Sequence, residues 1–570
     1  MKNKHLDYNS IIGLFLILLI LTIFTFLNKE KEYKVNKEFF NYKKDVLFRK
    51  EKNNFFLLEN NVLRLRISNI GGIINEVLLK KYKAYDTSLS YHAKNLFLVK
   101  NSSLLYRMSF INKKGLNINT ENLFFQPIFF KNKKKGTKIL IMRAKSPLGK
   151  GFLDYIYEIG SKNQYDIGFS VKTTNFFPYK KLVSINLDQK ILSLEKDRNW
   201  ENSYTQAYYS NLNKDFASVK YLSEKKTEEK NISNINWIAY KQQFFACIFI
   251  PEKILKNVFI RSDNFSLGNF LKRIQFKTYL KNDENKEIDF SFRFYFGPLD
   301  FNLLRKYKNE FENIIPFGWG FLKWINKYFF LVIFQFLEKT NLNYGVIIIL
   351  MTIVVKMILS PITYKQYKLS AIMKLIRPEI EKLNNEYRNN ENSFQKQRKM
   401  MELYRKAGVS PMSGCISTLF QIPIFYSLFK FFPTIINLRG KSFLWVEDLT
   451  SYDSIIELPF FIPFYGNHVS LLTLLYSLAL LFYTKLSNND KKEISQNGKN
   501  SNSIPDINFI LYLMPVIMLL FINSYASALS LYYFTSNIIN ICFLFLIKKF
   551  MLDENKILVK IQEKSIKNKK

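Results

Sequence analysis

The sequence of 570 residues contains only three cysteines, Cys247, Cys415 and Cys542, and only three histidines, His5, His92 and His468. No CxxC pair and no Cys/His cluster exists, so neither a disulfide framework nor a zinc site is supported. His-based catalysis has little material. There is no phosphate loop and no nucleophile elbow. Asp and Glu are missing from the long apolar runs, which removes the usual groups of a proton relay or a cation-coupled transporter. No catalytic residue, cofactor or metal is expected, and the chain is not read as an enzyme.

What the sequence does contain is unevenly spread. It is 48% hydrophobic, includes 55 Phe, and carries a formal net charge of +38. Long apolar runs gather at the N-terminus and after about Asn341, while the stretch between is mixed and polar. That pattern predicts two bodies, one soluble and one in a membrane. Lys, Asn, Ile and Phe are all encoded by AT-rich codons, so part of the lysine excess is compositional. Only the placement of the basic residues bears on partners, and no sequence-specific nucleic-acid binding is expected.

Residues 1–28 hold Lys2 and Lys4 followed by the apolar run Ile11–Leu27. The run exceeds a typical signal-peptide core and no A-x-A-like site follows, so it reads as an uncleaved anchor with its N-terminus inside. A cleaved signal peptide is the alternative. From residue 33 to 301 the pattern changes to short alternating stretches. Leu63, Leu65 and Ile67 alternate with Arg64, Arg66 and Ser68, and Gly71-Gly72 marks a turn. Many short strands over such a length predict an all-β sandwich. Residues 316–341 mix apolar residues with Lys323, Lys327, Glu338 and Lys339, and place Trp319 and Trp324 near the start. That is the composition of an amphipathic helix lying in the interface plane.

Five further apolar stretches follow, about Tyr344 to Ile362, Met412 to Ile436, Val469 to Leu486, Ile507 to Tyr525 and Ala526 to Ile547. Each approaches the roughly 20 residues that cross a bilayer core. With the N-terminal run they make six predicted spans, five of them in the core, residues 342–547. Residues 363–411 carry many cations, including Lys374, Arg377, Lys399 and Arg405, and the tail 548–570 opens on Lys548 and Lys549. Residues 437–468 carry only Arg439 and Lys441 against four acids. Short loops rich in Lys and Arg stay in the cytoplasm. Six spans with the N-terminus inside put both basic segments there and the β domain outside. Residues 363–411 also show apolar residues at three-to-four spacing on either side of "RNNEN", which predicts a helical hairpin in the cytoplasm.

Within the stretch "GVIIILMTIVVKMILSPITYK" lies Lys356. A charge at the centre of a membrane helix costs about 2.5–3.5 kcal/mol on insertion scales. Thr352, Lys356 and Ser360 share one helix face. Pro361 and Tyr364 mark the predicted cytoplasmic end, which puts Lys356 in the inner-leaflet half. Either its stem snorkels toward headgroups, or it faces a wet cavity between helices. Gln421 and Pro423 add a polar, irregular spot in the next span, and Tyr532 and Tyr533 add phenols in the last.

The motifs "GVIIILMTIVVKMILSPITYKQY", "YRKAGVSPMSGCISTLFQIPIFYSLFKFFP", "LRGKSFLWVEDLTSYDSI" and "LMPVIMLLFINSYASALSLYYFTSNII" together closely resemble the YidC-type membrane protein insertases, over nearly the whole chain. The resemblance implies a β-supersandwich periplasmic domain and a bacterial inner-membrane protein with both termini cytoplasmic. It implies a hydrophilic groove, open to the cytoplasm and lipid, whose basic residue attracts the polar segment of a client. That role falls on Lys356, with Thr352, Ser360, Gln421, Tyr532 and Tyr533 as groove lining. The implied partners are nascent membrane proteins, the lipid bilayer, the Sec translocon and ribosomes, the last through the hairpin and the basic tail. Many family members have arginine where this chain has Lys356, so the charge is kept and the planar fork is lost. The competing reading is a polytopic transporter that binds an anionic substrate at Lys356. The inverted repeats and paired broken helices that would support it are not seen in the sequence.

Overall fold

The computed structural model of the protein describes residues 52–547 and 549, except 90, 112–116, 133–135, 147–150, 161–162, 176–181, 214–215, 225, 266–267, 282–286, 388–392, 408–412, 489–506 and 548. The N-terminal apolar run and Lys548 lie outside these residues, as does the rest of the tail after Lys549.

Residues 55–298 form two sheets, one of 4 strands and one of 14. Alternation drives the strands. In Leu63–Ser68 the side chains of Leu63, Leu65 and Ile67 are buried and those of Arg64 and Arg66 face outward. Gly71 and Gly72 both adopt left-handed φ in the turn that follows, and a Cβ on Gly72 would crowd the Phe125 and Tyr155 rings at 3.1 Å.

The large sheet folds back on itself. Strands Leu104–Ile111 and Asp166–Thr174 are seven places apart in its hydrogen-bonded order. In a flat sheet they would be roughly 34 Å apart at ~4.8 Å per strand. The Tyr106 and Phe169 rings nevertheless meet at 5.3 Å, and those of Phe249 and Phe276 at 5.1 Å. Two faces of one sheet therefore enclose a single aromatic core, and the β region is a sandwich. Short helices α1 (Arg198–Tyr204) and α2 (Phe301–Arg305) sit at its edge, each begun by an aspartate, Asp197 or Asp300, that accepts from the first-turn amides.

A helical run then crosses residues 320–338 as α3 (Gly320–Ile325), a π turn at Asn326–Phe330, and α4 (Leu331–Glu338). One face is buried through Asn326, Phe330, Phe334 and Leu337, and the other presents Phe321, Trp324, Tyr328, Val332 and Phe336. The exposed apolar stripe is what an interfacial helix needs. Asn326 pins the π turn, since its Nδ2 donates to the carbonyls of Phe317 (2.7 Å) and Ser427 (2.8 Å).

The remaining helices are α5 (Tyr344–Leu375), α6 (Arg377–Glu386), α7 (Ser393–Ala407), α8 (Ser413–Phe431), α9 (Leu471–Asn488), α10 (Ile507–Ile522) and α11 (Ser527–Leu546). Helix α11 packs against both α5 and α9. Among the described residues, two helices are long and apolar enough to cross a membrane, over Tyr344–Leu369 and Ser527–Leu546. Shorter apolar helices cover Leu471–Ser487 and Tyr512–Ile522.

Pro361, which with Tyr364 marks the expected cytoplasmic end of the first core span, lies inside α5, which continues for 14 further residues. Proline removes a single backbone donor, and the helix carries on with that bond unmade. The hairpin is thus an extension of the span. Ile376 and Ala407 form its small core, with Leu369, Ile372, Ile380 and Tyr404 around them. The expected break at "RNNEN" lies mostly outside the described residues.

Candidate functional site

The candidate site is built where α5, α9 and α11 converge. Lys356 is half-buried on α5, and its Nζ donates to Oδ1 of Asn540 on α11 at 2.9 Å. The ammonium thus turns toward the helix bundle, while its neighbours Met357 and Ile358 are exposed on the outside. Three turns along α5, on the same face, Tyr367 places its Oη 3.1 Å from Oη of Tyr483 on α9 and 3.5 Å from the Asn540 carbonyl. Ser536 and Asn537 continue the buried polar face of α11. Among the described residues Lys356 has no carboxylate partner. A lone cation is therefore held by a neutral amide, which fixes its position without cancelling its charge.

The other expected lining residues separate into two groups. Thr352 and Tyr532 are closed off in helix packing: the Thr352 hydroxyl donates to the Ile348 carbonyl at 2.7 Å, and the Tyr532 ring lies tilted against Phe432 at 5.9 Å. They line no open surface. The Thr352 hydroxyl is engaged by its own i−4 carbonyl, as is usual for a helix threonine. Ser360 is half-buried and Gln421 is exposed. The Tyr533 ring lies between Phe425 and Tyr476, and its Oη is buried with no hydrogen-bond partner among the described residues.

On the hairpin, Lys399 and Arg405 are exposed, as is Lys549 at the end of the last helix. The side chains of Lys374 and Arg377 lie outside the described residues. Sequence reasoning missed Asn540, Tyr367 and Tyr483. Asn540 had one signal, namely its spacing from Ser536 and Asn537 on a single face of an otherwise apolar helix.

The β domain is tied to the helical part by a buried charge cluster. Glu195 accepts from Nε of Arg439 at 2.8 and 3.0 Å. His92 lies 3.1 Å from Glu195 and 3.6 Å from Asp448. Burial opposes ionisation of Glu195, but the Arg439 guanidinium and His92 outweigh it and hold the carboxyl below its usual range. Neighbouring Glu201 has no such cation. Burial, with the Glu195 charge beside it, pushes Glu201 up to about 8. Gln243 adds a bond to the Pro433 carbonyl at 2.9 Å, and the Trp200 ring meets Tyr525 at 4.8 Å.

Comparison with known proteins covers both bodies. Residues 57–332 match the family model described as the YidC periplasmic domain, and residues 336–555 that of the 60Kd inner membrane protein. A membrane protein insertase YidC from Parabacteroides distasonis is 34% identical over 522 residues, spanning 89% of this chain and 79% of its own. The chain belongs to the YidC family. Its YidC relatives include one from Amoebophilus asiaticus, 35% identical over 90% of this chain and 84% of that one. Another, from Azobacteroides pseudotrichonymphae, is 31% identical over 99% and 95%. Among solved structures, an active YidC insertase with its first transmembrane domain resolved aligns over 89% of this chain and 94% of that one, at 16% identity and a TM-score of 0.34. A putative aldose 1-epimerase from Escherichia coli aligns with 43% of this chain at 9% identity and a TM-score of 0.28. YidC-family membership accounts for the layout seen here, a periplasmic β-sandwich followed by a helical membrane core.

Proposed function

We propose that the protein is a membrane protein insertase and chaperone of the bacterial inner membrane, acting alone or with the Sec translocon. The observation that carries the mechanism is Lys356, a cation with no carboxylate partner among the described residues, turned into a helix bundle and held by Asn540. Carrying a polar segment through about 30 Å of hydrocarbon is unfavourable because each polar group loses water. A wet groove in the inner leaflet shortens the dry path, and a fixed cation attracts acidic client segments. The buried polar face of α11 and the unpartnered Tyr533 hydroxyl favour a hydrated interior. Burial of the client's apolar segment in lipid, worth roughly 25 cal/mol per Å², drives the step with no nucleotide.

In this reading six helices span the membrane. They are the N-terminal run together with α5, α8, α9, α10 and α11. Residues 1–28 form the anchor, 33–301 the periplasmic domain, 316–341 the interfacial helix, 342–547 the core and 548–570 the tail. Both termini face the cytoplasm, where the hairpin 363–411, through Lys374, Arg377, Lys399 and Arg405, and Lys548 and Lys549 in the tail, meet clients or ribosomes. Ser360, Gln421 and Tyr533 line the groove beside Lys356, with Thr352 and Tyr532 packed behind it.

The test is insertion of a small acidic-tailed client into proteoliposomes holding the purified protein. Lys356→Arg retains insertion. Lys356→Glu reduces it roughly tenfold or more, because reversing a charge near a client carboxylate shifts their interaction by at least about 1–2 kcal/mol at screened dielectric. Equal insertion by the two variants would overturn the electrostatic mechanism.

A further inference from the structure

The protein has a second concentration of unpaired positive charge, far from Lys356. A cavity of about 1270 Å³ opens where the β domain meets α3 and the end of α8. Its lining includes the cations Arg198, Lys226, Lys241, Lys323 and Lys430 against the carboxylates Glu224 and Glu310. Lys241 is 0% exposed, and its Nζ has one hydrogen bond, to the Tyr204 carbonyl at 2.7 Å. The Lys241 and Lys430 ammonium groups lie 5.3 and 6.0 Å from the same Tyr204 ring. The hydroxyl of Tyr204 is buried without a partner among the described residues. Neither lysine has a carboxylate within ion-pair distance among the described residues, and Glu224 is engaged by Gln206 at 2.9 Å.

A buried cation without a counter-ion is unfavourable unless something anionic joins it. Ring faces and one carbonyl offset part of that penalty. Burial, then the charges of Lys272 and Lys430, lowers Lys241 to about 7, which is the strain that an incoming anion would relieve.

The surroundings indicate what carries the anion. Trp319 lines the cavity and is 73% exposed, and it begins the apolar stripe continued by Phe321 and Trp324. A charged pocket thus runs into an exposed apolar track on the helical run that the proposed topology lays in the membrane interface. We infer that this cavity binds the phosphate headgroup of an anionic phospholipid from the outer leaflet, with Lys430 facing the phosphate, buried Lys241 adding its charge from behind the Tyr204 ring, and the acyl chains lying along Trp319, Phe321 and Trp324. The inference rests on the proposed topology but not on client insertion, since it concerns the opposite side of the membrane from the groove.

The experiment uses the full chain, reconstituted in vesicles of equal phosphatidylglycerol and phosphatidylcholine and extracted in mild detergent. Lipid retained per protein is then counted by native mass spectrometry. Phosphatidylglycerol is retained in preference to phosphatidylcholine. Lys430→Gln, at a half-buried position, lowers that retention about fivefold, the effect of one lysine near an anionic surface. Lys430→Arg keeps it, and Lys327→Gln, on the same interfacial run but outside the cavity lining, leaves it unchanged. A parallel arm adds excess inorganic phosphate. Full displacement of the lipid by phosphate would assign the pocket to a soluble anion and overturn the lipid assignment. Equal retention of the two lipids, or no effect of Lys430→Gln, would overturn the site itself.

Discussion

At the scale of single residues, the Lys356–Asn540 contact decides how a cation is kept inside a helix bundle. Asn540→Leu leaves Lys356 without its polar partner, and the expected loss of stability is about 1–3 kcal/mol. Adding Lys356→Met should recover most of it, because both sides then become apolar. Thermal unfolding of the detergent-solubilised chain measures the cycle, and strictly additive effects would show that the two side chains do not interact. A second residue-level expectation concerns pH. Glu201 ionises near 4.5 in the unfolded chain but about 8 in the fold. Between those values only the unfolded state releases the proton, so this group lowers stability progressively as pH rises through that window. Glu201→Gln should flatten the decline in melting temperature between pH 5 and 8. Glu195, held low by Arg439, acts in the opposite sense, adding stability that fades only as pH falls below about 4.5. Lys356 was legible in the sequence because a single lysine in an apolar run has few explanations. Asn540 was not, since its partner is 184 positions away and asparagine is common throughout the chain.

At the scale of elements, helix starts depend on close fits that periodicity does not reveal. Gly345, near the start of α5, packs against Phe443, whose ring an added Cβ would overlap. Gly345→Ala should therefore destabilise the protein by about 1–3 kcal/mol, and Phe443→Leu in the same chain should relieve part of the strain. A melting temperature unchanged by Gly345→Ala would show that the ring moves away freely. The strands were legible because alternation writes burial directly into sequence, as in Leu63, Leu65 and Ile67. The interfacial run was legible as amphipathic but not as a helix with a π turn. That irregularity comes from Asn326 reaching two carbonyls on other segments. The continuation of α5 beyond Pro361 was not legible, because the small core around Ile376 and Ala407 that it leads into forms only between separate helices.

At the scale of the whole molecule, the two-body layout followed from where apolar runs gather, and the family comparison covers the same two regions. The contacts joining the bodies could not be read, because Glu195 and Arg439 each look like ordinary surface charges until the fold brings them together. The proposed orientation has its own test. In a chain with the native cysteines replaced, Phe461→Cys, exposed on the β-hairpin of strands Ile456–Ile462 and Gly466–Val469, should react with a membrane-impermeant maleimide in intact spheroplasts. Phe394→Cys on the hairpin that begins α7 should react only after permeabilisation. The reverse pattern would invert the topology.

The unbroken course of α5 has a mechanical meaning. From Lys356 to Leu375 the rod is roughly 28 Å long at 1.5 Å per residue, and no loop intervenes to absorb a push at its outer end. On the reading proposed above, a load on the hairpin is carried rigidly along α5 as far as the Lys356–Asn540 bond.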